Sequence, residues 1–274
     1  MKNLIAIVLL TIISTASYAW TQRPPLPIAS CSIHTPYGLP ESSTPVKFIC
    51  REGYLSMYDP AAKIPKVVAY TLRPENVLGC VVRTNAFDSD ESITNGPTLQ
   101  DYAGTGYDKG HLAPDGDMSY SKQVEYESFL MTNMTPQAPS LNRGIWKLLE
   151  TSVRSWVLTT NQSFTIYSGG VYNSKDKKIG SGVIVPRVFY KIVINNHTGE
   201  VAAWAFPHDA PYGNLGTNLI QFRTSVEIIE REAGVKLNLP SNANELLPSL
   251  EWRADFGYLT ESKRKKCGNT AKEE

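Results

Sequence analysis

The chain has 274 residues, 42% of them hydrophobic and 19% charged. That composition excludes a disordered chain and suffices for a substantial core in one domain. With 27 Lys+Arg against 26 Asp+Glu, it also excludes nucleic-acid binding through bulk basic charge, so any affinity for phosphate must come from a local patch.

Residues 1–19 read as a signal peptide. Lys2 gives a basic start, Leu4 to Ile13 an apolar run, and Ser17-Tyr18-Ala19 small residues at the two positions a signal peptidase reads. The run is shorter than the ~20 apolar residues that span a bilayer. The expectation is cleavage, no membrane association afterwards, and a secreted or periplasmic protein. Losing Lys2 would leave as many basic as acidic residues. The cysteines, Cys31, Cys50, Cys80 and Cys267, all follow this segment. Their even number predicts two disulfides, with three pairings open. No C-x-x-C pair is present to suggest a thiolate zinc site.

Residues 20–47, rich in Pro, Ser and Thr, predict an extended arm that Cys31 can pin to the body. Residues 48–267 predict one α+β domain, a central antiparallel sheet flanked by helices, followed by a polar tail over 268–274. Strands are predicted at Phe48–Tyr58, stopped by Asp59-Pro60, at Val67–Leu72, stopped by Pro74, and at Cys80–Arg83. Residues 84–106 read as loop. A helix is predicted after Pro139, with Ser140 as N-cap and Leu141, Ile145, Leu149, Val153 and Trp156 at helical spacing. Strands follow at Ser163–Tyr167, Val183–Val185, Val188–Ile194 and Val201–Phe206, the last two joined by Asn/Gly turn signals. A second helix is predicted near Asn218–Ala233, with Gly234 as its C-cap. The run Lys263–Lys266 reads as a solvated terminus.

Two blocks carry chemistry: Tyr107-Asp-Lys-Gly-His-Leu-Ala-Pro114, and Thr132-Asn-Met-Thr-Pro-Gln137 with Leu141-Asn-Arg-Gly-Ile-Trp146, Glu150 and Arg154 behind it. Histidine accepts a proton near neutral pH, so His111 is a candidate base. Gly110 permits close approach of backbone to a ligand. Asp108 offers an orienting carboxylate and Lys109 a cation for phosphate. Asn142 offers a carbonyl oxygen to a hard cation such as Mg²⁺, which takes few protein ligands and keeps several waters; the alternative is a local capping bond. On a straight helix Glu150 would stand about 80° around from Asn142, able to hold metal-bound water, with Arg154 at i+4 from it. Asp115 and Asp117 could form a two-metal carboxylate site, a weaker reading because one ion suffices. Tyr102 and Tyr107 could stack on bases or simply pack.

Taken in order, these blocks resemble the DNA/RNA non-specific endonucleases of the ββα-metal superfamily. The family's Asp-Arg-Gly-His appears as Asp108-Lys109-Gly110-His111. Its Asn-x-x-Pro-Gln matches Asn133, Pro136 and Gln137, and its Leu-Asn-x-Gly-x-Trp matches Leu141 to Trp146. Its later Gln-Phe-Arg matches Gln221-Phe222-Arg223, and an upstream arginine matches Arg83. The resemblance implies a ββα-metal finger, with His111 as general base and Asn142 as the direct ligand of Mg²⁺, for which Mn²⁺ can substitute. It implies Glu150 on metal-bound water; Arg83, Lys109 and Arg154 on phosphate; and Asn133 shaping the site. The substrates it implies are DNA and RNA, gripped through backbone phosphates. Lys109 departs from the family's arginine, keeping the charge but losing the bidentate fork. That departure and the balanced charge motivate a second reading, a catalytically weak relative that binds nucleic acid or a partner. The sequence leaves open whether the chain forms a homodimer.

Overall fold

The computed structural model describes residues 22–208, 215–246 and 252–268. The expected signal peptide and the polar tail beyond Gly268 lie outside the described residues. At the centre is an antiparallel sheet. Its strands run in spatial order Arg223–Thr224, Glu200–Pro207, Val188–Asn195, Phe164–Val171, Ile64–Leu72, Leu55–Asp59 and Lys47–Cys50, and Asn244–Glu245 adds in parallel to Glu200–Pro207.

Both faces of the sheet are covered, which is why its central strands are apolar almost throughout. Alternate residues point to opposite faces. Val68, Tyr70, Leu72, Ile166, Phe189 and Val193 meet the helix Lys147–Thr160 through Leu149, Val153, Trp156 and Val157. Val67, Ala69, Tyr167, Tyr190 and Ile192 meet the helix Val226–Ala233 and the N-terminal arm. Each buried large apolar side chain contributes about 1.5–3 kcal/mol. The Lys147–Thr160 helix carries its apolar residues at i, i+4, i+7 and i+8 and stops at Asn161, which adopts φ 54°.

The expected disulfides pair Cys31 with Cys50 and Cys80 with Cys267. The first pins the arm to the sheet's edge as expected. The arm's Glu41–Ser42 also pairs with Val235–Lys236.

Four local expectations are corrected. Cys80–Arg83 is not a strand; Val81 makes one backbone bond, to Ser119 O, because Cys80 is tied instead to the C-terminal helix. That helix, Phe256–Cys267, contains the Lys263–Lys266 run expected to be a solvated terminus; the run is exposed over Arg264–Lys266 but helical. The predicted Asn218–Ala233 helix is a 3₁₀ turn Leu219–Phe222, a short strand, and a helix from Val226, where Ser225 accepts a bond from Ile228 N. Within the predicted loop 84–106, Leu99–Tyr102 forms a helical turn.

Candidate active site

The two blocks fold into one hairpin-and-helix unit. Asp108–His111 pairs antiparallel with Met134–Gln137, placing His111 opposite Met134 and Asp108 opposite Gln137. The chain then turns at Ala138 into the helical segment bearing Asn142 and Glu150. This is the ββα finger. Gly110 is required because the Gln137 side chain lies where a Cβ would stand. Asn133 is fully buried. Its Nδ2 donates to Ala113 O and Ser128 O, and its Oδ1 accepts from Ala113 N. Asn133 therefore shapes the backbone after His111, with its own polar atoms committed to that task.

His111 is 8% exposed. It meets Phe129 edge-on at 4.9 Å and Phe87 at 5.6 Å, and these two rings set its plane. The same two aromatics carry cations. Arg83 lies over Phe129 at 4.9 Å and Lys109 over Phe87 at 4.7 Å. Arg83, from a separate loop, thus shares one aromatic floor with Lys109 and His111 of the first finger strand.

The helical entry differs from expectation. Ser140 is not the N-cap: Pro139 occupies the first helical position after Ala138. The Ala138 N–H donates to His208 Nε2 at 2.7 Å. Pro186 O, 2.5 Å from Nδ1, can only accept, so Nδ1 carries the proton and Nε2 is the acceptor. Asn142–Trp146 then forms a π turn, broken at Gly144 with φ −102° and ψ −117°. Such turns are frequent at functional sites. The break also voids the straight-helix projection from Asn142 to Glu150.

Asn142 Nδ2 donates to Asp108 Oδ2 at 3.0 Å, and Arg143 grips the same carboxylate with Nε and Nη2 at 2.8 and 2.6 Å. Partial burial pushes the Asp108 carboxyl up, but the bonds from Arg143 and Asn142 and the nearby cations outweigh it and hold it below the usual carboxylate range. An ionised carboxylate only accepts, so the amide nitrogen must face it and the Asn142 carbonyl oxygen is the atom left for a cation. Asp108 thus orients Asn142, where the sequence had suggested only an unspecified orienting carboxylate.

Asp115 and Asp117 do not form a two-metal site. Asp115 accepts from Arg83 Nη1 at 3.3 Å. Asp117 accepts from Arg154 Nη1 at 3.0 Å and from the Tyr70 hydroxyl at 2.8 Å. Those carboxylates hold the two arginines. Arg154 is buried in the floor of the site, whereas the Arg83 side chain is partly open. Tyr102 is core. Tyr107 has Lys177 over its ring at 4.8 Å and His208 at 5.8 Å, so packing is its observed role.

Sequence reading missed Lys191. It is fully buried, its Nζ donates to Ser168 Oγ at 2.7 Å, and it lies 3.9 Å from Glu150 Oε1. Burial holds its ammonium below the usual lysine range, and Glu150 and Asp117 oppose that only in part. The available signal was a lone charge in the apolar run Val188–Ile194.

Among the described residues no group of three or more His, Cys, Asp or Glu gathers as a metal cage. What the finger offers is one oriented amide oxygen with a carboxylate, Glu150, further along. That donor set fits a hard, largely hydrated divalent ion.

Residues 32–245 match the family model described as DNA/RNA non-specific endonuclease. The chain is 30% identical over 247 residues to "Nuclease 1, mitochondrial" of Schizosaccharomyces pombe, a match covering 80% of this chain and 76% of that protein. It is 32% identical over 197 residues to a nuclease of Nostoc, covering 68% and 71%, and 30% identical over 216 residues to "Endonuclease G, mitochondrial" of Homo sapiens, covering 73% and 71%. A chain of the solved EndoG/EndoGI complex has the same fold, with TM-score 0.67 at 23% identity over 78% of this chain and 93% of that one. The expectation of a secreted or periplasmic protein is corrected by these relatives, which apart from the Nostoc nuclease are named as mitochondrial. No described helix is long and apolar enough to cross a membrane. Since the family match spans the whole finger and most of the sheet behind it, this chain belongs to the DNA/RNA non-specific endonucleases and is a metal-dependent, hydrolytic nuclease.

Proposed function

We propose that this nuclease cuts DNA and RNA internally using Mg²⁺, or Mn²⁺ in its place, with Asn142 as the direct protein ligand and His111 as general base. The observation that carries the reading is the Asp108–Asn142 bond, which turns an amide oxygen toward the site from a finger that also bears His111. Bound there, the ion supplies positive charge for the phosphate and for the departing 3′-oxygen.

His111, its plane fixed by Phe87 and Phe129, takes a proton from the attacking water. Phosphorus gains that oxygen and loses the 3′-oxygen, which takes up a proton from solvent, so the products carry 5′-phosphates and 3′-hydroxyls. Lys109 and Arg83 neutralise non-bridging oxygens. Arg154, buried against Asp117, acts through its charge from below. Glu150 would hold water of a bound ion. Contacts to phosphate carry no sequence information, so cleavage is non-specific and weakens as salt rises.

The test is plasmid and RNA cleavage in Mg²⁺ and in EDTA, with wild type, His111→Ala and Asn142→Ala. Expected is metal-dependent nicking of both nucleic acids, lost in both variants. Cleavage that persists in EDTA and in His111→Ala would discard the mechanism.

A further inference from the structure

Lys191 occupies the middle of the Val188–Asn195 strand, on the same face as Phe189 and Val193. A hydrophobic side chain would fill that place without desolvating a charge, and buried ion pairs are often replaceable by apolar residues at no cost to the fold. The ammonium is therefore not explained by packing. What it touches is specific. It is anchored to Ser168 Oγ at 2.7 Å on the neighbouring strand, where Lys191 and Ser168 are register partners. It lies 4.3 Å from the centre of the Trp146 ring and 3.9 Å from Glu150 Oε1. Asp117 and Arg154 also act on its charge.

Trp146 closes the π turn that begins at Asn142, and Glu150 stands in the first turn of the helix that follows. Lys191 thus reaches from the rigid sheet to the middle and the far end of the short segment, 142–150, that links the two groups assigned to the ion. We infer that Lys191 is a positioning residue for metal binding, holding Glu150 and Trp146 so that Glu150 faces the oxygen of Asn142. This rests on the reading of Glu150 as the carboxylate that holds the ion's water. The ammonium itself touches neither substrate nor ion. A Lys flexes about a long stem, so Ser168 is the clamp that makes it a fixed point.

The experiment measures Mn²⁺ binding by electron paramagnetic resonance in the absence of nucleic acid. Alongside it are the metal concentration for half-maximal plasmid cleavage and the melting temperature. The proteins are wild type, Lys191→Met, Ser168→Ala, Glu150→Gln and the Lys191→Met/Glu150→Gln double variant. Lys191→Met is expected to weaken Mn²⁺ binding by roughly 10-fold or more, the scale seen when groups behind metal ligands are removed. Ser168→Ala should weaken it less, in the same direction. In the Glu150→Gln background Lys191→Met should add less than about 2-fold, since effects routed through one group do not add. Wild-type Mn²⁺ affinity in both Lys191→Met and Ser168→Ala, whatever their melting temperatures, overturns the proposal. So does an equal effect of Lys191→Met with and without Glu150. If Lys191→Met does not fold, Ser168→Ala alone and combined with Glu150→Gln carries the same comparison. Unchanged binding in Glu150→Gln would instead remove Glu150 from the site, a distinct signature that topples the underlying reading and this inference with it.

Discussion

The amide nitrogen of Asn142 donates to the carboxylate of Asp108 across 3.0 Å, joining the first finger strand to the segment that follows the second. This bond decides which end of the Asn142 side chain an ion would meet. Without it the amide could turn and present nitrogen. Asp108→Ala is therefore expected to lower metal affinity and cleavage by about 10–100-fold with the fold intact. Arg143 shares the carboxylate but its side chain is 71% exposed, and exposed pairs contribute at most about 1 kcal/mol. Arg143→Ala should stay within a few-fold of wild type. Metal titrations of the two variants check the contrast, and equal losses in both would refute it.

Gly110→Ala tests the hairpin independently of chemistry. The new Cβ would coincide with the Gln137 side chain, which packs over Gly110 from the opposing strand. Forced overpacking of this kind costs about 1–3 kcal/mol. The expected result is that loss in denaturant unfolding, with cleavage reduced because His111 is the next residue. Adding Gln137→Ala should recover most of the stability. A single variant as stable as wild type would show that Gln137 can move aside freely.

Much of the finger was legible because its parts are contiguous in sequence. Asp108 to His111 and Leu141 to Trp146 each carry their chemistry within a few residues, and the strands Val188–Ile194 and Val201–Phe206 announce themselves by apolar residues and turn signals. What was hidden depends on segments far apart. The Asp117–Arg154 pair and the His208 bond to Ala138 bridge 37 and 70 residues, and no local pattern encodes them. The helix Phe256–Cys267 was missed because its sequence is mostly polar; Leu259 and the Cys80 disulfide hold it. Lys191 was legible as an oddity, a charge inside an apolar strand, but only the packed structure supplies its neighbours.

Stability should depend on pH through His34. Burial pushes its imidazole from 6.5 down to about 4, aided by the charge of Arg73 and opposed by its bond to Glu52 O. Between those two values the unfolded chain binds a proton here that the folded chain refuses. Stability is therefore lost as the pH falls through that window, by up to about 3 kcal/mol. Denaturant unfolding from pH 7 to pH 4 measures the slope. His34→Gln, which has nothing to titrate, should flatten it; an unchanged slope in that variant would place the acid sensitivity elsewhere.

The Cys80–Cys267 bridge links the C-terminal helix to the loop that leads, three residues later, to Arg83. A cross-link spanning 187 residues restricts the unfolded chain strongly, and removing it should cost about 2–4 kcal/mol. The local consequence is more informative than the global one. Val81 has a backbone bond to Ser119 O, and Lys263 Nζ donates to Gly79 O, so with the bridge cut the loop keeps a few weak ties, and the contacts of Arg83 with Asp115 and Phe129 are held on a looser backbone. Cys80→Ser/Cys267→Ser should therefore lower the melting temperature clearly. It should raise KM for plasmid DNA, through looser presentation of Arg83, more than it lowers kcat, since His111 and Asn142 sit on the separately hydrogen-bonded finger. Cys31→Ser/Cys50→Ser, which loosens the arm at the Lys47–Cys50 edge of the sheet and leaves the Arg83 loop bridged, is the control. It should lose stability with KM unchanged, and a matching rise in KM there would mean that both bridges act only through global stability.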